Sequence, residues 1–535
     1  VSRLSNDGAN LIYSSFLCSG CRGGASTLQV TANGDVVVAG SFDHLNSATT
    51  PYPTTAGAFQ TTFQGFSSAF VSRLNATGTA LLWSTYLSGN DYDIVETLVL
   101  NDQEEPIVAG NTGNFNFPPN NFPVTTNAFQ TSFTTLNGAF ITHLNAQGTA
   151  LEASTYLGNN TYIRGIDLHP ATGEPYVCGN AGGTISTIPV TPGAYQTTQI
   201  DFADGFAARL DTNLSNVIFC TFLNANGTDR CEDIVVNAKG EAYVSGNTNA
   251  QNFPIDSCQL QTAHAGLFDV FLLHLNPQGT GLAAGGSALF GGISADYTKF
   301  RIELRTDGLS DTLFTCLTSH SPNFPVTPGA YSTQKANGTG DTPTAMKIVM
   351  PNIDIPDSSV CGRDSLEFFT PPGAGNVLWS TGQTSPSIWV SQSGQYWLDY
   401  QVFGCSYSDT FQVTLNNNQP NLGPDTTFCG SGSTSLTLSV STGNVWLWSN
   451  GQTTSSINVT TPGTYWVQST DTINQCQNSD TIQVFEYLLP QVSLTAAPFC
   501  QGDSITLDAD PNGQYGAATY LWSNNDITWQ STYNT

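Results

Sequence analysis

Apolar residues come in short bursts separated by stretches rich in Asn, Gly, Thr and Pro, and over roughly the first 350 residues the bursts recur in a fixed order. One burst opens each unit: Val1-Ser2-Arg3-Leu4, Phe70-Val71-Ser72-Arg73-Leu74, Phe140-Ile141-Thr142-His143-Leu144, Phe206-Ala207-Ala208-Arg209-Leu210 and Phe271-Leu272-Leu273-His274-Leu275. A turn such as Asn75-Ala76-Thr77-Gly78 follows, then an aromatic-rich burst such as Leu82-Trp83-Ser84-Thr85-Tyr86-Leu87. Short runs of this kind, bounded by turn residues, predict strands. A third strand carries a brief apolar pattern, as at Leu98-Val99-Leu100. The fourth is apolar throughout and ends small, as in Val36-Val37-Val38-Ala39-Gly40 and Ile107-Val108-Ala109-Gly110. A continuous apolar strand predicts burial on both faces. Each copy closes on a Pro-Thr loop, for example Phe122-Pro123-Val124-Thr125 and Phe324-Pro325-Val326-Thr327.

Four strands per unit, seen five times, predict an all-β protein with blades around an axis. A blade with two apolar faces cannot fold alone, so neighbours must stack. Over residues 1–350 the strands Ser84-Thr85-Tyr86-Leu87 and Ser154-Thr155-Tyr156-Leu157, with the Phe-Pro-Val-Thr loops, resemble the SBBP-type β-propeller repeat family. The resemblance implies seven blades, whereas five repeats are visible. Val1–Leu4 matches Met346–Met350, so the expectation is that Val1–Leu4 belongs to a blade whose other strands lie upstream. Alternatively the two ends compete to close a five-blade ring, leaving one strand spare.

From about residue 351 the period changes. A linker, Pro351 to Pro356, leads into a unit near 70 residues marked by an early Cys, a Leu-Trp-Ser turn and a Gly-x-Tyr-Trp strand. The first copy has Cys361, Leu378-Trp379-Ser380, Gly394-Gln395-Tyr396-Trp397 and Cys405; the second has Cys429, Leu447-Trp448-Ser449, Gly463-Thr464-Tyr465-Trp466 and Cys476. A third stops after Cys500 and Leu521-Trp522-Ser523. Period-2 strands, a Trp and a cysteine pair fit Ig-like sandwiches, with Trp379 and Trp448 expected in the cores. The domains expected are a propeller at 1–350 and Ig-like modules at 351–417, 418–487 and 488–535, the last truncated. These modules resemble the Ig/PKD-like modules of Bacteroidota surface proteins, which implies export by the type IX secretion system and a place among adhesins, appendages or secreted hydrolases.

Cysteine usage adds a compartment. Twelve cysteines without paired zinc-type CxxC motifs predict disulfides and an oxidising environment. Matching positions in the repeated modules predict Cys361–Cys405 and Cys429–Cys476, and Cys18 with Cys21 is expected to form a local bridge. The net charge of −27 excludes nucleic acid and anionic lipid as partners. No apolar run approaches the roughly 20 residues that span a bilayer, so no membrane insertion is expected. The chain opens inside a repeat, without a leader, and is read as part of something longer.

Tests for chemistry come back empty. HExxH, GxSxG, Walker and sialidase-type signatures are all missing from the sequence, and the six histidines are scattered. His143 and His274 stand where sister repeats have Arg73 and Arg209, which predicts solvent-facing strand positions. Asp508-Ala509-Asp510-Pro511-Asn512-Gly513 opens like an EF-hand loop but has Thr519 where the bidentate Glu belongs, so a polar turn is expected. No catalytic, cofactor or metal residue is assigned; acidic loops such as Asp91-Tyr92-Asp93 offer weak calcium binding that follows no motif. The function expected is a non-enzymatic structural or adhesive part of an extracellular appendage or filament, of the motility-adhesin or prey-capture type. It would self-associate and present a surface to a glycan or another cell. The alternative is a glycan-binding accessory region of a secreted hydrolase.

Overall fold

The computed structural model describes residues 1–535 except 20–21, 44–50, 114–119, 184–185, 256–260, 262, 299–300, 307–309, 328–329, 331, 333–340, 352–354, 372–373, 403–404, 417–418, 431–434, 442–444, 472–475, 489–493, 495–499, 501, 511–518, 529 and 535. No helix occurs among the described residues. Two compact units result, one of Val1–Ile355, Thr370–Pro386 and Trp397–Asp409, the other of Pro356–Phe369, Ser387–Tyr396 and Thr410–Thr535.

In the first unit a hairpin of β1 (Ser2–Leu4) and β2 (Leu11–Ser14) precedes the blades. Blade 1 comprises β3 (Arg22–Val30), β4 (Val36–Asp43), β5 (Ser67–Leu74) and β6 (Leu81–Leu87). Blade 2 comprises β7 (Asp93–Leu100), β8 (Pro106–Gly113), β9 (Asn137–Leu144) and β10 (Leu151–Leu157). Blade 3 has β11 (Thr161–Leu168), β12 (Pro175–Gly182), β13 (Ala203–Leu210) and β14 (Val217–Leu223). Blade 4 has β15 (Asp229–Val236), β16 (Ala242–Thr248), β17 (Asp269–Leu275) and β18 (Leu282–Phe290). Each of these four is an antiparallel meander. Blade 5 is built differently: β19 (Asp296–Tyr297), β20 (Glu303–Thr306) and β22 (Thr342–Pro351) all pair with β21 (Ser310–Ser319).

A blade starts half a sequence repeat late. The third and fourth strands of one repeat pair with the first and second of the next, as β4 does with β5 over their whole length. The Pro-Thr loop therefore lies inside the blade. The apolar second strand is buried on both faces, as the pattern predicts: Val37, Val38 and Ala39 are fully inaccessible. Apolar clusters fill the spaces between blades. Val37 and Val71 meet Leu98 and Val108; Ile107 and Ile141 meet Ile163 and Val177; Ala207 meets Ile234 and Val244; Tyr243 and Leu272 meet Leu313 and Leu317.

The competition between chain ends goes to β22, which pairs with β21 along ten registered positions, while β1 pairs with β2. Blade 1 shows the consequence. Leu28 on β3 is 49% exposed, whereas its counterparts Leu98, Ile166 and Ile234 are at most 3% exposed. On that face Val1 and Leu17 pack with Val36, Val38 and Phe70, while the inner strand β3 is left uncovered.

The modules form from β23 (Ser358–Cys361), β24 (Leu366–Phe369), β25 (Gly375–Trp379), β26 (Ser387–Val390), β27 (Gly394–Val402) and β28 (Cys405–Asn416), then from β29 (Thr426–Gly430), β30 (Leu436–Ser439), β31 (Val445–Trp448), β32 (Ser456–Val459), β33 (Gly463–Thr470) and β34 (Gln477–Leu488). Each has a four-stranded sheet, β23-β28-β27-β25 or β29-β34-β33-β31, and a two-stranded one, β24-β26 or β30-β32. Beyond them β35 (Ser504–Asp508) pairs with β36 (Gln530–Asn534).

The Trp-Ser turn is one device used three times. Trp379, Trp448 and Trp522 donate their indole N–H to the carbonyls of Ser385, Thr454 and Thr528. The backbone closes through Gly382, Gly451 and Asn525, all with positive φ, each donating to the Trp carbonyl. Asn tolerates the left-handed region better than most side chains, which is why it can replace Gly in the third copy. Trp379 and Trp448 are buried as expected, and Trp448 packs on Leu438, Val459 and Val484.

The disulfide expectation needs correction. Cys361 is bonded to Cys476, with Cα atoms 5.4 Å apart, and neither Cys361–Cys405 nor Cys429–Cys476 forms. Strand register gives the reason. Cys361 ends β23 beside Asn416, the last residue of β28, whereas Cys405 begins β28. The two are separated by roughly 35 Å of extended strand at about 3.3 Å per residue. Cys429, beside Tyr487, stands in the same relation to Cys476. Equivalent cysteines thus sit at opposite ends of one module, and the bridge joins the first module to the second. Asn416 donates from its amide to Asp471 beside it, and both are buried. The side chains of Cys405 and Cys429, and Cys21, lie outside the described residues; Cys18 is disulfide-bonded.

Two outcomes are expected. Non-reducing peptide mapping will recover Cys361 joined to Cys476, and reducing that bond will cost about 4–5 kcal/mol in urea unfolding, given a loop of 115 residues. Trp448→Ala will destabilise the second module by about 3–5 kcal/mol through the cavity and the lost indole hydrogen bond. Trp466→Ala, at a 39% exposed position, will change its urea midpoint far less.

Candidate functional site

The basic position of the opening strand is not solvent-facing. Arg73 and Arg209 have side chains 11% and 17% exposed, His143 and His274 15% and 8%. Each reaches an acid that directly precedes the second blade strand: Asp35 for Arg73, Glu105 for His143, Glu174 for Arg209 and Glu241 for His274. His or Arg is accepted there because both deliver N–H donors to a carboxylate, not because the site is free. His274 also stacks on Tyr243 at 4.2 Å. Of the other histidines, His169 Nδ1 accepts the Ala171 N–H, His264 Nδ1 meets Gln251, His320 meets Asp341, and His44 lies outside the described residues.

The propeller axis is the place where different blades bring polar groups together. The innermost strands carry a bulge at the same position, followed by Thr27, Thr97, Gly165 and Asp233 in blades 1 to 4. In blade 5 the equivalent residue is Arg301, which donates to Thr27 Oγ1 at 2.6 Å and Thr97 Oγ1 at 2.7 Å, and also reaches the Leu98 carbonyl. One guanidinium therefore ties blade 5 to blades 1 and 2. Its charge also acts on Asp167 and Asp233, whose carboxylates accept the backbone N–H of Val236 and Ile302 in the following blade. Asn111 and Asn247 clamp the next blade similarly, through Ile163 and Thr298.

Beside the axis a groove of about 800 Å³ opens across blades 1 to 3, lined by Asp102, Glu105, His143, Glu152, Asp167 and His169 among others. Its chemistry is acidic and polar. Sequence reasoning missed both the axial Arg301 and a set of buried aspartates at the start of the first blade strand. Asp93, Asp229 and Asp296 each accept a backbone N–H four residues back, from Gly89, Ala225 and Gly292, and a hydroxyl from Thr112, Thr248 or Ser321. The signal available was an Asp at the same phase before three of the third-strand bursts, Asp93, Asp229 and Asp296. Asp93 is thereby committed to capping a loop, which is its place in the Asp91-Tyr92-Asp93 stretch. Among the described residues no group of three or more His, Cys, Asp or Glu is arranged to hold a metal, and no helix is long and apolar enough to cross a membrane. The Asp508–Asp510 segment forms a local turn, with the Asp510 N–H on Asp508; residues 511–518 lie outside the described set.

No family model matches the chain, and none of the curated proteins does. Among solved structures it is similar to an acylaminoacyl peptidase from Pyrococcus horikoshii, at 9% identity and a TM-score of 0.29 over 84% of this chain and 58% of that one. The chain thus spans a little over half of that peptidase. It is also similar to the NanB sialidase from Streptococcus pneumoniae, at 9% identity and a TM-score of 0.31 over 75% of this chain and 70% of that one. The N-terminal four Ig domains of Dscam1 match at 9% identity and a TM-score of 0.15, over 62% of this chain and 98% of that one. Likenesses of this size carry no argument about function. The class defined by the strands themselves is an all-β protein with propeller-type blades.

Burial pushes the carboxyls of Asp93 and Asp233 up to about 7 and that of Asp167 to about 6; Asp204, Asp229 and Asp269 are also raised by burial. Burial would raise Glu174 and Glu241 too, but hydrogen bonds and charge from Arg209 and His274 outweigh it and hold both low. Six raised carboxyls against four lowered ones, of which Asp7 and Asp526 are exposed, decide the sign. Between about pH 4 and pH 7 the folded chain keeps protons that the unfolded chain has released, so stability falls as pH rises through that window. In EGTA the urea midpoint is expected to be highest near the acid end and lowest above pH 7. Asp93→Asn will flatten the slope and raise the midpoint at alkaline pH.

Proposed function

We propose that this chain is a non-catalytic, structural or adhesive component of an extracellular appendage or filament, with Ig-like modules as a stiff stalk and the propeller as a contact-making head. The observation that carries the reading is the Cys361–Cys476 staple with the buried Asn416–Asp471 contact: a crosslink between successive modules resists bending and extension, which a stalk needs and a freely jointed linker does not supply. The disulfide also favours an oxidising, extracellular setting. Leu28 and Val30, exposed on β3, favour packing against a further sheet, and a second copy of the chain is the partner taken here. The resemblance to Bacteroidota surface proteins supports type IX export, and motility adhesins or prey-capturing hooks are the appendages that fit.

The rival, a glycan-binding accessory region of a secreted hydrolase, is favoured by one feature. The outer sheet face of the second module exposes Val445, Leu447, Trp466 and Phe485, and Trp389 is 63% exposed in the first. Aromatic faces of this kind stack on sugar rings.

Electron microscopy of the native cell surface separates the readings. The appendage reading expects regular multimers or filaments whose assembly is lost when Leu28 and Val30 are changed to Asp. Single particles, unchanged by those substitutions, together with retention on a polysaccharide column that Trp466→Ala abolishes, would replace it with the rival.

A further inference from the structure

Where blade 3 meets blade 4, two aspartates from neighbouring strands come together out of water. Asp204 lies on β13 and Asp229 begins β15; both are fully inaccessible. They are linked through consecutive residues. Asn224 Nδ2 donates to Asp204 Oδ2 at 2.7 Å, and the next backbone N–H, of Ala225, donates to Asp229 Oδ2 at 2.6 Å. Asp229 feels Asp204 and Asp201, both of its own sign.

A second observation is independent of this cluster of charge. Asp204 Oδ1 and Asn224 Oδ1 are buried with no hydrogen-bond partner. Asn224 is 1% exposed, and its amide orientation is fixed because Nδ2 also donates to the Thr198 carbonyl. Leaving a buried acceptor unsatisfied costs about 1–3 kcal/mol, more for a charged one. Two acceptor oxygens without donors, beside a second carboxylate, form an oxygen-rich pocket suited to a hard cation rather than to a donor. Asp201, exposed, donates its backbone N–H to Asp204 Oδ2 at 3.1 Å.

The next junction repeats the arrangement. Asp269 and Asp296 occupy the equivalent strand positions, are fully inaccessible, and each leaves Oδ1 unpartnered. At the two earlier junctions the same positions hold Ser68 with Asp93 and Gly138 with Thr161, so the cross-blade pair is missing there and the buried acid acting on Asp93 is its near neighbour Asp91. Cross-blade acid pairing and orphaned oxygens thus appear together at two junctions and are both missing at the other two.

We infer that the junction of blades 3 and 4 binds a divalent cation of the calcium class through Asp204, Asn224 and Asp229, with the Asp269–Asp296 junction as a second, related site. The ion neutralises paired carboxylates that otherwise require protons, and it cements blades that apolar packing alone brings together. This is independent of the appendage reading, since it concerns how the propeller is held and not what it assembles into.

The test uses the whole chain at pH 7.5. Calcium in millimolar excess is expected to raise the melting temperature relative to EGTA, and calorimetric titration with calcium to show saturable binding. Asp204→Asn should weaken that binding roughly tenfold or more, by analogy with the loss of any group ordering a metal site, and shrink the thermal increment. Asp93→Asn, at a junction without a cross-blade acid pair, should leave the increment intact. Equal melting temperatures in calcium, magnesium and EGTA would overturn the inference, leaving protons or water as what satisfies these oxygens. So would calcium binding that survives unchanged in Asp204→Asn with Asp269→Asn, which would place the ion elsewhere, such as the Asp508–Asp510 turn. The wild-type comparison stands even if a variant does not fold.

Discussion

A sheet whose second strand is apolar on both faces can be buried only between two other sheets. That constraint organises the first 355 residues. Val37, Val108, Val177 and Val244 stand at the centres of successive blades, each covered by the blades beside it. Burial of this kind yields about 25 cal/mol per Å² of apolar surface, and none of it is available to a lone blade. The exposed Leu28 on β3 shows what an inner blade strand looks like without a neighbour.

Stacking sheets this closely also traps polar groups, and the blade junctions handle them in a repeated way. Asn111 and Asn247 clamp the following blade through its backbone, and Asp167 and Asp233 cap N–H groups one blade on. Asp93 and Asp229 close the loop before their own strand. These groups turn a greasy stack, which could slide, into one with a defined register. They also bring carboxylates together faster than counter-charges: Arg301 at the axis is shared by Asp167 and Asp233, and the Asp269–Asp296 pair has only His264 acting on Asp269. The acidity of the chain is therefore partly internal.

The two modules from β23 to β34 solve a different problem. Their cores are small, so each relies on a single Trp whose indole N–H is satisfied by a turn carbonyl six residues on. Covalent and buried polar contacts, Cys361 with Cys476 and Asn416 with Asp471, are what join one module to the next.

What the sequence determined by itself is everything local or periodic. Strand positions, the four-strand repeat, burial of the Val36–Gly40 type of strand and the core placement of Trp379 and Trp448 follow from residue type and spacing, because side-chain alternation and turn chemistry act over a few residues. The tertiary structure decided what depends on which end of a strand faces which neighbour. Cys361 and Cys405 look like a pair in the sequence because they share a module, but a twelve-residue strand separates them, and the bond goes to Cys476 in the next module. His143 and His274 look solvent-facing until the turn carrying Glu105 or Glu241 folds over them. Arg301 looks like a loop residue until five blades bring Thr27 and Thr97 to its guanidinium across more than two hundred residues of chain. In each case the deciding contact is between segments far apart in sequence, and no periodicity along the chain encodes it.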